Sequence, residues 1–409
     1  MVSELVELKG HIIDSLSLPR VLDAILAQGG EFEMEDISVG KTRAEQSRVR
    51  IRVIAPDTAT LEGILANIER EGANRIDQGN VRLKPAPMDG VFPDGFYCTT
   101  NLPTRVRIAS DWLNVEKIEM DCGIVVEDNH AVTTPMNHVK SGQLVVVGHD
   151  GVRVEARPRS EAPGVFEFMA SAVSSEKPKA PMIAAVARRI ADVKSAGKKV
   201  LLVGGPGLVH TGSTEAVAKM IRNGCIDVLF AGNALPLHDI ESAMFGTSLG
   251  VSVEEGKPAA HGHEHHLRAV NEIRRIGSIA EAVRQGVVKK GIMYECVKNG
   301  VPYVLAGSIR DDGPLPDVIT DTLDAQDAMR RELTDVGLAL MVATMLHSVA
   351  TGNLLPASTE VVAVDINPAV VTKLSDRGTH QAVGIVTDAA LFMRELAEML
   401  EEECLCGAS

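Results

Sequence analysis

Aromatic residues are scarce: one tryptophan (Trp112), three tyrosines and eight phenylalanines make up 3% of the 409 residues. A base-stacking platform or an aromatic sugar-binding groove has little to build from. Basic side chains are the minority, 41 against 55 acidic ones, and the net charge of -14 repels nucleic-acid phosphates and anionic lipid surfaces. Neither nucleic acid nor membrane is an expected partner. The most apolar stretch, Val336 to Ala350, is too short for a membrane span, and the start MVSELVELKG has no basic region followed by an apolar one, so a cytoplasmic protein is expected. Six cysteines (Cys98, Cys122, Cys225, Cys296, Cys404, Cys406) include no CxxC pair, which argues against a disulfide framework and a zinc ribbon and for free thiols. What the chain does have, 45% apolar and 23% charged residues, suits a folded protein of two or three domains.

The first hundred residues read as LVELKGHII extended, LPRVLDAILAQG helical, EFEMEDISVG and SRVRIRVIAP extended, TLEGILANIEREG helical and VRLKP extended. This βαββαβ order predicts a ferredoxin-like α+β domain over 1–100. From 101 to 178, short β-rich segments (RVRIAS, EKIEMDCGIVVE, QLVVVGHDG, VRVEARP) separated by turns such as Asp128-Asn129 predict a small β-rich domain. Polar, proline-bearing SSEKPKAP marks the next boundary. Over 179–409, apolar runs (VLLVGG, DVLFAG, PYVLAG, LALMVAT, VVAVD, AVGIVTD) alternate with helical ones, including a single long helix from about His266 to Gln285. That alternation predicts an α/β, Rossmann-like parallel sheet covered on both faces.

Ligands of such sheets lie beyond the carboxyl ends of the strands. Those ends carry Gly204-Gly205-Pro206-Gly207 and His210; Gly232-Asn233-Ala234 with His238, Asp239 and Glu241; and Ala306 to Pro314 with Arg310, Asp311 and Asp312. The remaining three carry Thr344-Met345-Leu346-His347, Asp365-Ile366-Asn367 and Thr387-Asp388. Glycine permits close backbone approach to a pyrophosphate, helix N-termini offer free N–H groups, and Asp365 at the end of VVAVD is placed to accept from ribose hydroxyls. The pattern suggests a dinucleotide, although GGPGLVHTG lacks the GxGxxG spacing and its glycines could simply turn the chain. The run His261-Gly262-His263-Glu264-His265-His266 reads as a helix start in preference to a metal site, and no metal is assigned. Cys296 reads as a buried small hydrophobe in preference to a nucleophile.

Long contiguous segments, GNALPLHDIE, YECVKNGVPYVLAGSIRDDGPLPDVITD, MLHSVATGNLLPA and VDINPAVVTKLSDRGTHQAVGIVTD, resemble the archaeal-type ornithine cyclodeaminases, also found as the C-terminal half of cyanobacterial arginine-dihydrolase fusions. The first hundred residues are similar to the conserved region of lysine-oxoglutarate reductase/saccharopine dehydrogenase. The resemblance implies a tightly held NAD, used and regenerated in each turnover of L-ornithine to L-proline and ammonia. It places the cofactor against Asn233, Ala234, Asp312, Thr344, Met345, Leu346, His347, Asp365 and the loop from Gly384 and Ile385 to Asp388. The strand-end reading instead favours Thr387-Asp388 for that last group.

The implied chemistry needs a cation for the α-carboxylate (Arg310 or Lys373), a carboxylate for the δ-ammonium (Asp239, Asp311 or Asp312) and a proton shuttle near neutral pKa (His238 or His347). The residues singled out as catalytic are Asp312, His238, Asp239 and Lys373. Two other readings fit the same elements: a different NAD-dependent amino-acid or opine-type dehydrogenase, and a non-enzymatic NAD or amino-acid sensor. An enzyme of this size is expected to form a symmetric homo-oligomer.

Overall fold

Strict alternation in SRVRIRVIA, with Ser47, Val49, Ile51, Val53 and Ala55 buried and the arginines between them half-buried, makes a strand that faces a core on one side only. In the computed structural model this strand, β3 (Ser47–Ala55), is central to a four-stranded antiparallel sheet with β1 (Val2–Gly10), β2 (Glu31–Ser38) and β4 (Ala73–Arg75), in the order β2-β3-β1-β4. The structure describes residues 1–13, 16–40, 45–76, 79–109, 111–155, 179–249, 251–252, 264–311, 313–376 and 382–402. Helices Ser17–Ala27 and Thr58–Glu69 cover one face through Val21, Ile25, Ile64, Leu65 and Ile68. The arrangement is ferredoxin-like, with one correction to the sequence reading. Its last strand is the short Ala73–Arg75, whereas VRLKP forms β5 (Arg82–Pro85) at the edge of the next sheet, paired with Leu144–Val147. A five-residue apolar-polar run carries no mark of which sheet it will join.

That next sheet comprises β5, β6 (Thr104–Ile108), β7 (Asp111–Glu116), β8 (Gly123–Glu127), β9 (His130–Thr134), β10 (Leu144–Val147) and β11 (Val152–Val154). The turn Asp128-Asn129 closes the β8–β9 hairpin with both residues at positive φ, the backbone that matches strand twist in a two-residue hairpin. Both sheets belong to one compact unit of residues 1–161 together with 353–358.

The second unit, 162–352 with 359–409, holds six parallel strands. These are β12 (Lys199–Gly204), β13 (Val228–Gly232), β16 (Tyr303–Ala306), β17 (Val336–Val342), β18 (Glu360–Asp365) and β19 (Ala382–Val386); a short hairpin, β14 (Thr247–Ser248) and β15 (Val251–Ser252), lies between β13 and β16 in the chain. Their order, β16-β13-β12-β17-β18-β19, is 3-2-1-4-5-6 in sequence, the doubly wound Rossmann order. Every residue of β17 is buried, which is why these strands read as continuous apolar runs and not as alternating ones. The single helix expected from His266 to Gln285 is two, His265–Ile276 and Ile279–Arg284. Gly277 ends the first in the left-handed region at φ 109°, and the Ser278 hydroxyl caps the second through the Glu281 amide.

Candidate functional site

Strand order reverses between β12 and β17, and there the two strand ends come unusually close. A Cβ on Gly205 would lie 1.8 Å from the Ala343 carbonyl oxygen, and one on Gly207 would lie 2.9 Å from the Ala343 Cβ. Ala343 itself is left-handed at φ 54°, a conformation costly for any residue with a Cβ. The glycines of GGPG therefore do more than turn the chain. They allow the ends of adjacent strands to meet at the switch point, where a doubly wound sheet opens its crevice.

Around that point stand the segments leaving each strand. After β13, Asn233 precedes the helix Ala234–Phe245 and is buried, its Oδ1 accepting from the Leu315 amide at 3.0 Å. This ties the β16 loop to the β13 end, and Ala234 follows half-buried. After β17, Thr344 and Met345 lead into the helix Leu346–Leu354, which the sequence reading had not placed. His347 lies over the end of β13: a Cβ on Gly232 would be 2.6 Å from its Nε2. Burial lowers the His347 pKa, and the nearby Asp311 carboxylate opposes that shift. Asp311 also closes its own turn by accepting from the Ser308 amide at 2.8 Å, while Arg310 is exposed. Asp312 lies outside the described residues.

After β18, Asp365 is half-buried and spends one oxygen on the Asn367 amide at 2.8 Å, which leaves its other oxygen as an acceptor. After β19, Asp388 caps the helix Ala389–Glu402 by accepting from Ala390 and Leu391. Gly384 and Ile385 lie within β19, paired with Ala363 and Val364, with the Ile385 side chain wholly in the core. Apolar side chains are exposed at the same strand ends, Leu346 at 66%, Ile366 at 71% and Met345 at 43%. Exposed apolar groups beside free acceptors and helix N-termini suit a ligand with flat rings, ribose hydroxyls and phosphates.

Two of the residues singled out as catalytic sit elsewhere. Asp239 is fully buried, and its two oxygens accept from the amides of Ile292 and Met293 at 2.9 and 2.8 Å. It caps the helix Ile292–Lys298 from a distance. Burial pushes its pKa up to about 6, with the two amides opposing. A carboxylate so enclosed is not carried forward as the partner of a substrate ammonium. Lys373 is exposed on the last turn of the helix Pro368–Asp376. Cys296 is buried, which pushes its thiol pKa up and fits the hydrophobe reading. His261 and His263 lie outside the described residues, whereas His265 begins a helix.

His238 belongs to a polar cluster that the sequence reading had noted only in part. Its Nδ1 is 2.8 Å from Glu241 Oε2, and its ring meets His210, from the segment after β12, edge to face at 4.7 Å. Burial lowers the His210 pKa, as does neighbouring His238, while Glu241 raises it. The sequence signal was present: His and Glu three apart on one helix face each other.

Fold and crevice together define a Rossmann-fold protein of the dinucleotide-binding type. Three family models then match consecutive parts of the chain: the LOR/SDH bifunctional enzyme conserved region over 3–102, the arginine dihydrolase ArgZ-like C-terminal first region over 103–183 and the ArgZ-like C-terminal Rossmann fold over 184–396. The ornithine cyclodeaminase of Methanothermobacter thermautotrophicus is 54% identical over 392 residues, 95% of each chain. The crystal structure of apo ArgZ, a cyanobacterial arginine dihydrolase, has a TM-score of 0.84 at 34% identity, covering 98% of this chain and 59% of that one. The ternary complex of AgrE with ornithine and NAD+, the bifunctional protein of Nostoc sp., has a TM-score of 0.54 at 39% identity, covering 98% and 58%. The chain belongs to the family of archaeal ornithine cyclodeaminases and ArgZ-like C-terminal regions.

Proposed function

We propose that the protein is an ornithine cyclodeaminase, converting L-ornithine to L-proline and ammonia with NAD that is regenerated in every turnover. The observation that carries the reading is the crevice at the β12–β17 switch point, in a family one of whose members has been crystallised with both ornithine and NAD+. The residues present fit the dinucleotide. Asn233, Ala234, Thr344, Met345, Leu346, His347, Asp365 and Asp388 are the proposed cofactor shell, with Gly384 and Ile385 contributing through β19 and Asp312 through the loop after β16. When bound, NAD takes the hydride from Cα of the substrate and later returns it.

The protein's own part is to orient and to move protons. Arg310, exposed at the crevice end of β16, is the proposed partner of the α-carboxylate, and Asp312 that of the δ-ammonium. His238 is the proposed proton shuttle, because a histidine paired to a buried carboxylate is held in one tautomer. Proline release leaves no net redox change, which separates this reaction from that of an opine-type dehydrogenase. Among the described residues no helix is long and apolar enough to cross a membrane, and a cytoplasmic homo-oligomer is the proposed state.

Incubation with ornithine and NAD, followed by amino-acid and ammonia analysis, tests the proposal. Equal amounts of proline and ammonia are expected, with no accumulation of NADH. Accumulating NADH would replace it with the dehydrogenase reading, and binding without turnover would replace it with the sensor.

A further inference from the structure

Glu241 is fully buried, and it is surrounded by donors. Its Oε2 is 2.8 Å from His238 Nδ1 and accepts from the Leu249 amide at 3.3 Å; its Oε1 accepts from the Thr247 hydroxyl at 2.9 Å. Thr247 Oγ1 is in turn 2.9 Å from His265 Nδ1, and the His265 ring stacks on Phe245 at 4.9 Å. Thr247 and Leu249 belong to the β14–β15 hairpin, and Ser248 between them bonds His210 Nδ1 at 2.7 Å. Four chain segments thus bring together one carboxylate and three histidine rings. Burying a carboxylate is costly unless it is paired and hydrogen-bonded, and His238 is a partner here that can carry the opposite charge.

We propose that Glu241 is the positioning residue for His238 in the reaction: it holds the imidazole with its proton on Nδ1, which leaves Nε2 as the lone pair, and it stabilises the imidazolium formed when Nε2 takes a proton. The inference rests on the cyclodeaminase reading above. The substrate reacts with its α-amine neutral. Its δ-ammonium gives one proton to Nε2, and the freed lone pair attacks Cα of the iminium left by hydride removal, forming the new C–N bond. That proton passes to the α-nitrogen, the ring nitrogen gives its second proton to Nε2, and the lone pair so freed forms the ring C=N bond as the bond from Cα to ammonia breaks. The hydride then returns to Cα and Nε2 returns the proton to the ring nitrogen, so protons and electrons balance. His210, which faces the His238 ring from the segment after β12, and His265, linked through Thr247, are the other titratable groups that meet this pair among the described contacts.

The test compares Glu241→Gln, His238→Gln and the double variant in the intact protein. Glu241→Gln should lower kcat for proline formation at least tenfold while KM for ornithine and the Kd of NAD stay within about twofold. In the His238→Gln background the same change should add almost nothing, because Glu241 acts through His238. An additive loss, wild-type kcat in Glu241→Gln, or a loss confined to KM or melting temperature would overturn the proposal. Nitrogen-15 NMR of the wild-type His238 ring reads the pairing without any variant or substrate. A proton on Nδ1 is expected, and a ring protonated only on Nε2 refutes it. If the wild type makes no proline, the cyclodeaminase reading has failed, and the NMR result alone decides the pairing.

Discussion

At the scale of single residues, position along the chain and role diverge most. Asp239 and Asp365 both follow apolar strands and both read as site carboxylates, yet one caps a helix in the core and the other keeps an acceptor at a strand end. What separates them is the tertiary partner, the amides of Ile292 and Met293 over fifty residues away, which no local pattern announces. Asp239 has a pH signature. Its folded-state pKa lies above the ordinary aspartate range, so the folded protein holds the extra proton between about pH 4 and 6. Stability therefore falls as pH rises through that window and is level above it. Asp239→Asn, which leaves one amide unsatisfied, is expected to be less stable than wild type at pH 4 by roughly 1–3 kcal/mol. The deficit should shrink by pH 6.5 in denaturant titrations, and parallel pH profiles would refute the assignment. For Asp365, a carboxylate beside the ribose 2′ position repels a phosphate there, so NAD should bind more tightly than NADP. Asp365→Ala should weaken NAD by roughly 1–3 kcal/mol, the loss of a charge-assisted hydrogen bond, and calorimetry with both dinucleotides reads both effects.

At the scale of elements, the six parallel strands were legible because burial on both faces writes continuous apolar runs, as in Val336–Val342. The first sheet was legible through alternation, and its last strand was misplaced because Ala73–Arg75 is only three residues long. The helix Leu346–Leu354 was missed because His, Ser, Thr, Gly and Asn interrupt its apolar pattern, and the break at Gly277 was missed because glycine inside a helical run does not announce positive φ. The reason for Gly205 was also invisible: its neighbour across the gap, Ala343, is 138 residues on. Gly205→Ala must push that backbone aside, since its Cβ would meet the Ala343 oxygen at 1.8 Å. The expected cost is about 1–3 kcal/mol of stability, the usual penalty of overpacking, together with weakened NAD binding from the displaced β17 end. A melting curve and NAD titration like those of wild type would show that the close approach is dispensable.

At the scale of the molecule, a cofactor that gives back the hydride it takes has no need to leave between turnovers. Protein purified without added dinucleotide should therefore carry NAD, detected in the supernatant after denaturation; a preparation that contains none and binds none would contradict the Rossmann crevice as its site. The same return of hydride gives the most direct measurement. Ornithine deuterated at Cα, turned over in ordinary water with NAD, should yield proline that keeps the deuterium at Cα, because the same hydride goes out and comes back. Proline without deuterium, or label accumulating in NADH in place of proline, would contradict the account.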